Sequence, residues 1–340
     1  MPRPEFEAPP PEPNAVPRQE PVGAGWPAPG AEHGIEARTV VRSFGAVPAL
    51  RGLDLTVPYG QVTALVGPNG AGKTTLLLIL ATLLAPHAGQ VRVAGFDLAT
   101  HPEQARSALG WMPDTFGVYD QLTVGEYLEF FADAYRLPHD EKHRRIRGLL
   151  ALVHLDDRLR QPVHGLSRGQ KQRLGMARAL IHKPRVLLLD EPASGLDPRS
   201  RVELRDLLRS LAADGVAVLV SSHILSELEE IADRVVLVDH GLTVGEHRMA
   251  DLIASGPTGM GRARWRIRAQ DDALAARLAA RPGLGTISDL PGGAEVGPLT
   301  EDEAADLLAA LVAEGVRVVA FGPVGSALES AYMAMTDERR

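Results

Sequence analysis

Runs dominated by Val, Leu and Ala recur along this chain at residues 61–66, 185–189 and 216–220. Runs this short and this apolar suit strands covered on both faces, as in a parallel sheet flanked by helices. Elsewhere the apolar positions fall three and four apart, and residues 76–80, 122–134, 140–153, 167–182 and 199–211 read as helices. Two of these, 122–134 and 140–153, follow one another with no strand between them, so a helical insertion interrupts the αβ alternation. Ahead of the first apolar run, residues 36–43 alternate, and residues 51–58 set Leu53, Leu55 and Val57 on one face. Two strands therefore precede it. Residues 90–93 read as a strand and 105–111 as a helix end turning into another, with Met112-Pro113-Asp114 breaking the pattern.

The pattern changes again after Ser255-Gly256-Pro257. Residues 262–269 alternate as a strand, 271–280 read as a helix, and short strands follow at 286–290 and 294–296. Residues 300–314 carry acids in their first turn and form a clear helix, followed by a strand at 316–321 and a last helix at 326–335. The order βαββαβα resembles a ferredoxin-like unit. It suits a packing appendage, or a ligand-sensing or dimer-stabilising role. Residues 1–34 hold ten prolines in the first thirty positions and cannot bury enough apolar surface to order themselves. They read as a disordered tail, or as a Pro-rich docking ligand. The expected layout is thus a tail at 1–34, a main unit at 35–255 with a helical subdomain at about 113–166, and an accessory α+β domain at 260–340.

Composition narrows the function classes. The chain has 340 residues, 45% apolar and 23% charged, which is enough for a sizeable core. A net charge of -7 argues against a nucleic-acid partner, which would be met by a basic face. No cysteine is present, so disulfide and thiolate chemistry are excluded. No run reaches the ~18 apolar residues of a transmembrane helix, and no apolar segment at the N-terminus reads as a signal peptide. Work at a membrane would need another chain to supply the span.

The candidate chemistry centres on Gly67-Pro68-Asn69-Gly70-Ala71-Gly72-Lys73-Thr74-Thr75, placed between the first apolar run and a helix. It fits the P-loop pattern G-x-x-x-x-G-K-[ST], whose backbone N–H groups cradle phosphates, whose Lys reaches the β/γ-phosphates and whose hydroxyl holds Mg²⁺. Residues without Cβ take the turns that aim consecutive amides inward, and the helix N-terminus adds partial positive charge. Leu166-Ser167-Arg168-Gly169-Gln170 opens a later helix; Ser167 is either an N-cap or part of a second anion-binding device. Asp190-Glu191 ends the run 185–189, where adjacent acids can place one carboxylate near Mg²⁺ and the other near an attacking water. Ser194-Gly195-Leu196-Asp197-Pro198 is a tight turn before a helix. His223 ends the run 216–220 as a γ-phosphate donor or a capping or surface residue, and Phe44, in a loop between the first strands, is a base-stacking platform or a hydrophobic plug. His139, Asp140, Glu141 and His143 offer either a metal cluster or acids complementing a helix dipole, and the second needs no metal.

In this order, across about residues 36–250, these pieces resemble the nucleotide-binding subunit of an ATP-binding cassette (ABC) transporter. The segment Leu166 to Gln170 is similar to the family's LSGGQ signature, with Arg168 at its second glycine. The resemblance implies a P-loop NTPase (RecA-like) α/β core with an antiparallel β subdomain and a helical subdomain. It implies Phe44 under adenine, Gly67 to Thr75 as Walker A, and Val186 to Asp190 as Walker B. Glu191 would be the general base, Ser194 to Asp197 the D-loop and His223 the switch histidine. Catalysis would fall to Glu191, His223 and Lys73. ATP would be bound by Gly67, Pro68, Asn69, Gly70, Ala71, Gly72, Lys73, Thr74 and Thr75 with Phe44 and Asp197, and by Ser167, Arg168, Gly169 and Gln170 across a head-to-tail dimer. Mg²⁺ would be held by Thr74, Asp190 and Asp114. Asp114 stands where the family's Q-loop glutamine is usual, and a carboxylate there would coordinate Mg²⁺ or stay away from phosphate. Ser221 to Glu229 and the phrase around Lys171-Gln172-Arg173-Leu174 further resemble exporter-type cassettes that pair with a separate permease on the cytoplasmic face of the cell membrane. An importer subunit and a soluble regulatory cassette ATPase are the competing expectations.

Overall fold

The computed structural model describes residues 33–115, 117, 121–222, 225–255, 263–271, 273–324 and 328. The expected tail (bar its last two residues), the expected switch histidine His223, and all of the expected helix 326–335 except Leu328 lie outside them.

Strands β1 (His33–Phe44) and β2 (Val47–Pro58) form an antiparallel hairpin, and β3 (Val62–Val66) leads into helix α1 (Lys73–Leu80). Then come β4 (Ala88–Val93), β5 (Phe96–Asp97), α2 (Pro102–Ala108) and β6 (Leu109–Met112). The helical insertion holds α3 (Val124–Ala134) and α4 (His139–Leu152) and precedes α5 (Arg168–Ala179). The alternation resumes with β7 (Val186–Asp190), α6 (Pro198–Ala213), β8 (Ala217–Ser221), α7 (Leu225–Ile231), β9 (Arg234–Asp239), β10 (Leu242–Arg248) and α8 (Met249–Ser255).

Two sheets result. β2-β1-β4-β5 is antiparallel, and β10-β9-β3-β8-β7-β6 is parallel except for its edge strand β10. The parallel strands are buried on both faces. Along β3, Val62, Ala64 and Val66 join the apolar cluster that contains the helical insertion, while Leu65 points into the cluster beneath the antiparallel sheet. β7 alternates in the same way, with Leu187 and Leu189 on one side and Val186 and Leu188 on the other. This two-sided burial is why these runs carry no polar alternation.

Residues 109–112 form the strand into which the helix end at 105–111 turns, paired parallel with β7. One expectation needs correction. Phe44 is the last residue of β1, paired with Val47, not a loop residue. Asp140 and Glu141 do lie in the first turn of α4, and among the described residues no cluster of His, Asp and Glu could hold a metal ion.

Near the end of α5 the insertion is locked to the core. His182 is buried, stacks on Tyr135 with ring centroids 3.8 Å apart, and directs Nε2 at the Leu109 carbonyl at 3.0 Å. A carbonyl only accepts, so Nε2 carries the hydrogen. Arg145 donates to the carbonyls of Leu180 and Ile181 at 2.6 and 3.2 Å, closing the open end of α5. Burial drops the His182 pKa from 6.5 to about 4. The unfolded chain therefore takes up a proton near pH 6.5 that the folded chain refuses until about pH 4. Stability from this group is full above that window and lost as pH falls through it, by at most about 3 kcal/mol. Urea unfolding at pH 7 and pH 5 should show a larger loss for wild type than for His182→Phe, which keeps the stack and cannot titrate. Equal losses would remove His182 as the cause.

A separate sheet has the order β12-β13-β11-β14, from β11 (Ala263–Ala269), β12 (Thr286–Leu290), β13 (Gly293–Leu299) and β14 (Val318–Pro323), all antiparallel. Helices α9 (Leu274–Ala279) and α10 (Glu301–Ala313) pack Leu274, Leu278, Leu307 and Leu311 against its Ile267 and Val296. With the connection βαββαβ, this strand order is the ferredoxin-like arrangement.

Candidate functional site

The P-loop emerges from the carboxyl end of β3 and closes onto α1. Its glycines are dictated by space and by backbone conformation. A Cβ on Gly67 would lie 2.2 Å from the Val238 carbonyl oxygen. Gly72 has φ +103° and a Cβ there would meet the Ala49 carbonyl and Leu50 at 2.7 Å. Ala71 is tied down at both ends, its N–H donating to Pro68 O at 3.1 Å and its carbonyl accepting from Gly241 N–H at 3.0 Å. Lys73, the first residue of α1, folds back so that Nζ donates to the carbonyls of Gly67 at 2.6 Å and Pro68 at 3.1 Å. Burial pulls its pKa below the usual lysine value, partly offset by the carboxylates of Glu191 and Asp190. Pro68, Asn69, Gly70 and Thr74 are exposed and Thr75 half-buried, leaving the loop's outer surface open.

Asp190 and Glu191 lie two strands away, across β8. Asp190 is buried and accepts a short hydrogen bond from the Ser221 hydroxyl. Burial raises its pKa above the ordinary carboxylate value, the Ser221 bond opposes this, and the charges of Glu191 and Asp114 add to the rise. Asp114 is exposed, yet near enough for its charge to act on Asp190. Glu191 follows with a left-handed φ of 52°, uncommon for a residue with a side chain. Its N–H donates to Ser221 O at 3.0 Å, and its carbonyl accepts from Ser194 N–H at 3.1 Å and Gln172 Nε2 at 3.2 Å.

The signature residues sit elsewhere. Ser167 caps α5 in a reciprocal box: its Oγ accepts from Gln170 N–H at 3.3 Å, and the Gln170 side chain accepts from Ser167 N–H at 2.9 Å. Ser167 as a helix cap is thus observed, and the box leaves its hydroxyl hydrogen available. Gly169 lies in the first turn. Arg168 reaches the turn before α6, donating from Nη2 to Ser194 Oγ at 3.1 Å and lying along Gly195, where a Cβ would come within 2.9 Å of its Nε. Asp197 caps α6, accepting from Ser200 N–H at 3.0 Å and Ser200 Oγ at 2.7 Å; these bonds hold its pKa below the usual range. Both of its carboxylate oxygens are used locally. Phe44 is half exposed, with the Arg42 guanidinium 5.2 Å from its ring centroid.

The sequence-derived set therefore forms two groups. Lys73, Asp190, Glu191 and Asp114 share one electrostatic neighbourhood; Ser167 to Gln170 join Ser194 to Asp197 in another. Among the described residues no hydrogen bond ties Ser167 to Gln170 to the P-loop. Two contacting side chains escaped the sequence reading of the site: Ser221, on Asp190, and Gln172, under Glu191. Neither carries a local signal, since their partners are brought in by the β7–β8 pairing and by packing of α5.

Comparison with known proteins identifies the family. A family model described as ABC transporter matches residues 50–194. The daunorubicin resistance ATP-binding protein DrrA3 of Streptomyces coeruleorubidus is 38% identical over 224 residues, covering 66% of this chain and 71% of that protein. The chain belongs to the ABC transporter ATP-binding family. A second ABC relative, the Nod factor export ATP-binding protein I of Ralstonia nicotianae, is 36% identical over 212 residues, spanning 62% of this chain and 66% of the relative's length. Among solved ABC cassettes, a dimeric post-hydrolysis state bound to ADP and phosphate superposes with a TM-score of 0.58 at 25% identity, covering 63% of this chain and 98% of that one. The chain is accordingly an ATP-binding, ATP-hydrolysing ABC subunit with a P-loop NTPase fold. Among the described residues no helix is long and apolar enough to cross a membrane.

Proposed function

We propose that this subunit drives export through a separate membrane-spanning permease at the cytoplasmic face of the cell membrane, by closing head-to-tail on a second copy over ATP. The observation that carries the proposal is that, among the described residues, no hydrogen bond ties Ser167 to Gln170 to the P-loop of the same chain, while Ser167 and Gly169 stay open at the start of α5. A P-loop surrounds one side of the triphosphate, and developing charge is stabilised fully only when a second set of donors closes over it. Ser167 and Gly169, exposed or half-buried at the start of α5, supply that set in trans and face the γ-phosphate held by Lys73 of the other copy. The names of the relatives, Nod factor export and daunorubicin resistance, favour export over import.

Within one site, the P-loop N–H groups and Lys73 hold the phosphates, and Phe44 stacks on adenine with its second face backed by Arg42. Glu191 takes a proton from water as its oxygen bonds to the γ-phosphorus and the bond to the β-bridging oxygen breaks, giving ADP and phosphate. His223 stabilises the charge that develops on the γ-phosphoryl. The residues fit Mg²⁺: the Thr74 hydroxyl and the Asp190 carboxylate are hard oxygen donors, and Asp190 is buried within reach of the Lys73 charge. When bound, the ion neutralises charge on the β- and γ-phosphates. Asp114 adds a third oxygen donor on the side where the family commonly has glutamine. The layout 1–34, 35–255 and 260–340 gives the P-loop unit the work, with coupling to the permease passing through the helical insertion.

A site completed in trans makes turnover second order in protein when dilute. The ATPase rate per chain should rise with concentration until dimers saturate, and a permease partner in vesicles should change it. A rate per chain flat from the monomeric range upward would contradict the two-copy site.

A further inference from the structure

We infer that Gln172, on the buried face of the signature helix α5, is the positioning residue that fixes the main chain of Glu191. This rests on the reading of Glu191 as the base.

The sequence around Glu191 does not account for its backbone conformation, since the following proline favours extended geometry at this position. A glutamate at φ 52° sits in a region that side-chain-bearing residues avoid, and such a conformation persists only where the surroundings determine it fully. Proline at the next position contributes no N–H of its own. What fixes this turn is the Gln172 carboxamide. It is 7% exposed and its Nε2 donates to two consecutive carbonyls, Glu191 O at 3.2 Å and Pro192 O at 3.3 Å. Both hydrogens of the amide are thereby spent on the peptide groups that flank the bend. The Glu191 carbonyl also accepts from Ser194 N–H at 3.1 Å, and its N–H donates to Ser221 O at 3.0 Å. Both main-chain polar groups of Glu191 are engaged, and among the described residues bonded to them Gln172 contributes through its side chain.

The same helix reaches the proposed interface. Ser167, its N-cap, faces the other copy's ATP in the proposed dimer, and Arg168, its first residue, touches Ser194. Gln172 lies about one turn further along. One rigid helix therefore connects the surface that meets the partner's nucleotide to the main chain of the base in its own copy.

The test is Gln172→Met, which keeps the side chain's length and removes both donors. ATP hydrolysis is measured together with equilibrium ATP binding in EDTA, and Glu191→Gln is run in parallel. The expected result is a kcat lower by about 10- to 100-fold, the scale of a misplaced catalytic group, with KM and ATP binding within about 3-fold of wild type. Gln172→Lys, whose ammonium restores N–H donors at similar reach, should recover part of kcat. A kcat within about 3-fold of wild type in Gln172→Met, beside an inactive Glu191→Gln, overturns the inference and leaves the reading of Glu191 standing. A Gln172→Met protein that loses ATP binding in step with kcat also overturns it, because the role is then structural. An active Glu191→Gln overturns both.

Discussion

Glu191→Gln should bind ATP with near wild-type affinity, lose about 10²- to 10⁴-fold in turnover, and accumulate as an ATP-loaded dimer. A carboxamide fills the same space as a carboxylate but takes no proton from water. The turn that carries residue 191 is held through main-chain bonds to Ser221, Ser194 and Gln172, none of which involves the carboxylate. The P-loop, with Lys73 at its base, is left intact. Binding and closure therefore survive while the chemical step does not, and the closed state persists because hydrolysis is what would open it. Light scattering with and without ATP reads the dimer, and phosphate release reads the turnover. Near-normal turnover in this variant would remove Glu191 from the role of base.

Much of the fold is legible in the sequence for a physical reason. Strands buried on both faces leave uninterrupted Val and Leu runs, and β3, β7 and β8 lie within a residue or so of where those runs place them. The two helices of the insertion follow from their three-and-four spacing. The C-terminal unit is readable because each of its strands is short and bounded by turn residues. The turn from helix into strand near residue 109 is legible, but the strand's parallel partner β7 is not. Local pattern cannot report a partner that lies more than seventy residues along the chain.

The site divides in the same manner. Gly67 to Thr75 is legible because a phosphate cradle needs glycine at fixed positions, and the structure supplies the clashes that enforce two of them, Gly67 and Gly72. The capping role of Ser167 is legible from Gln170 three residues on. The use of both Asp197 oxygens by Ser200, the reach of Arg168 to Ser194, and the bonds from Ser221 and Gln172 are not. Each depends on elements that meet only in the folded chain.

Lys73→Ala and Gly169→Asp should each reduce ATP hydrolysis by at least about 100-fold, for reasons that lie on opposite sides of the proposed interface. Lys73→Ala removes the ammonium that donates to the Gly67 and Pro68 carbonyls and that the proposed site turns on its own phosphates. Gly169→Asp places a carboxylate in the first turn of α5, where the helix dipole favours it, so folding is preserved. Its nearest neighbour would be Leu196 at 3.4 Å, an ordinary contact. In the two-copy site that carboxylate repels the partner's γ-phosphate. The two inactive proteins are then mixed. A mixed dimer carries one site with both defects and one with neither, so the mixture should recover about one quarter of the wild-type rate under random pairing. If Lys73 and Gly169 served one site within a single chain, every site in the mixture would remain defective, and an ATPase rate no higher than that of the separate variants would contradict the account.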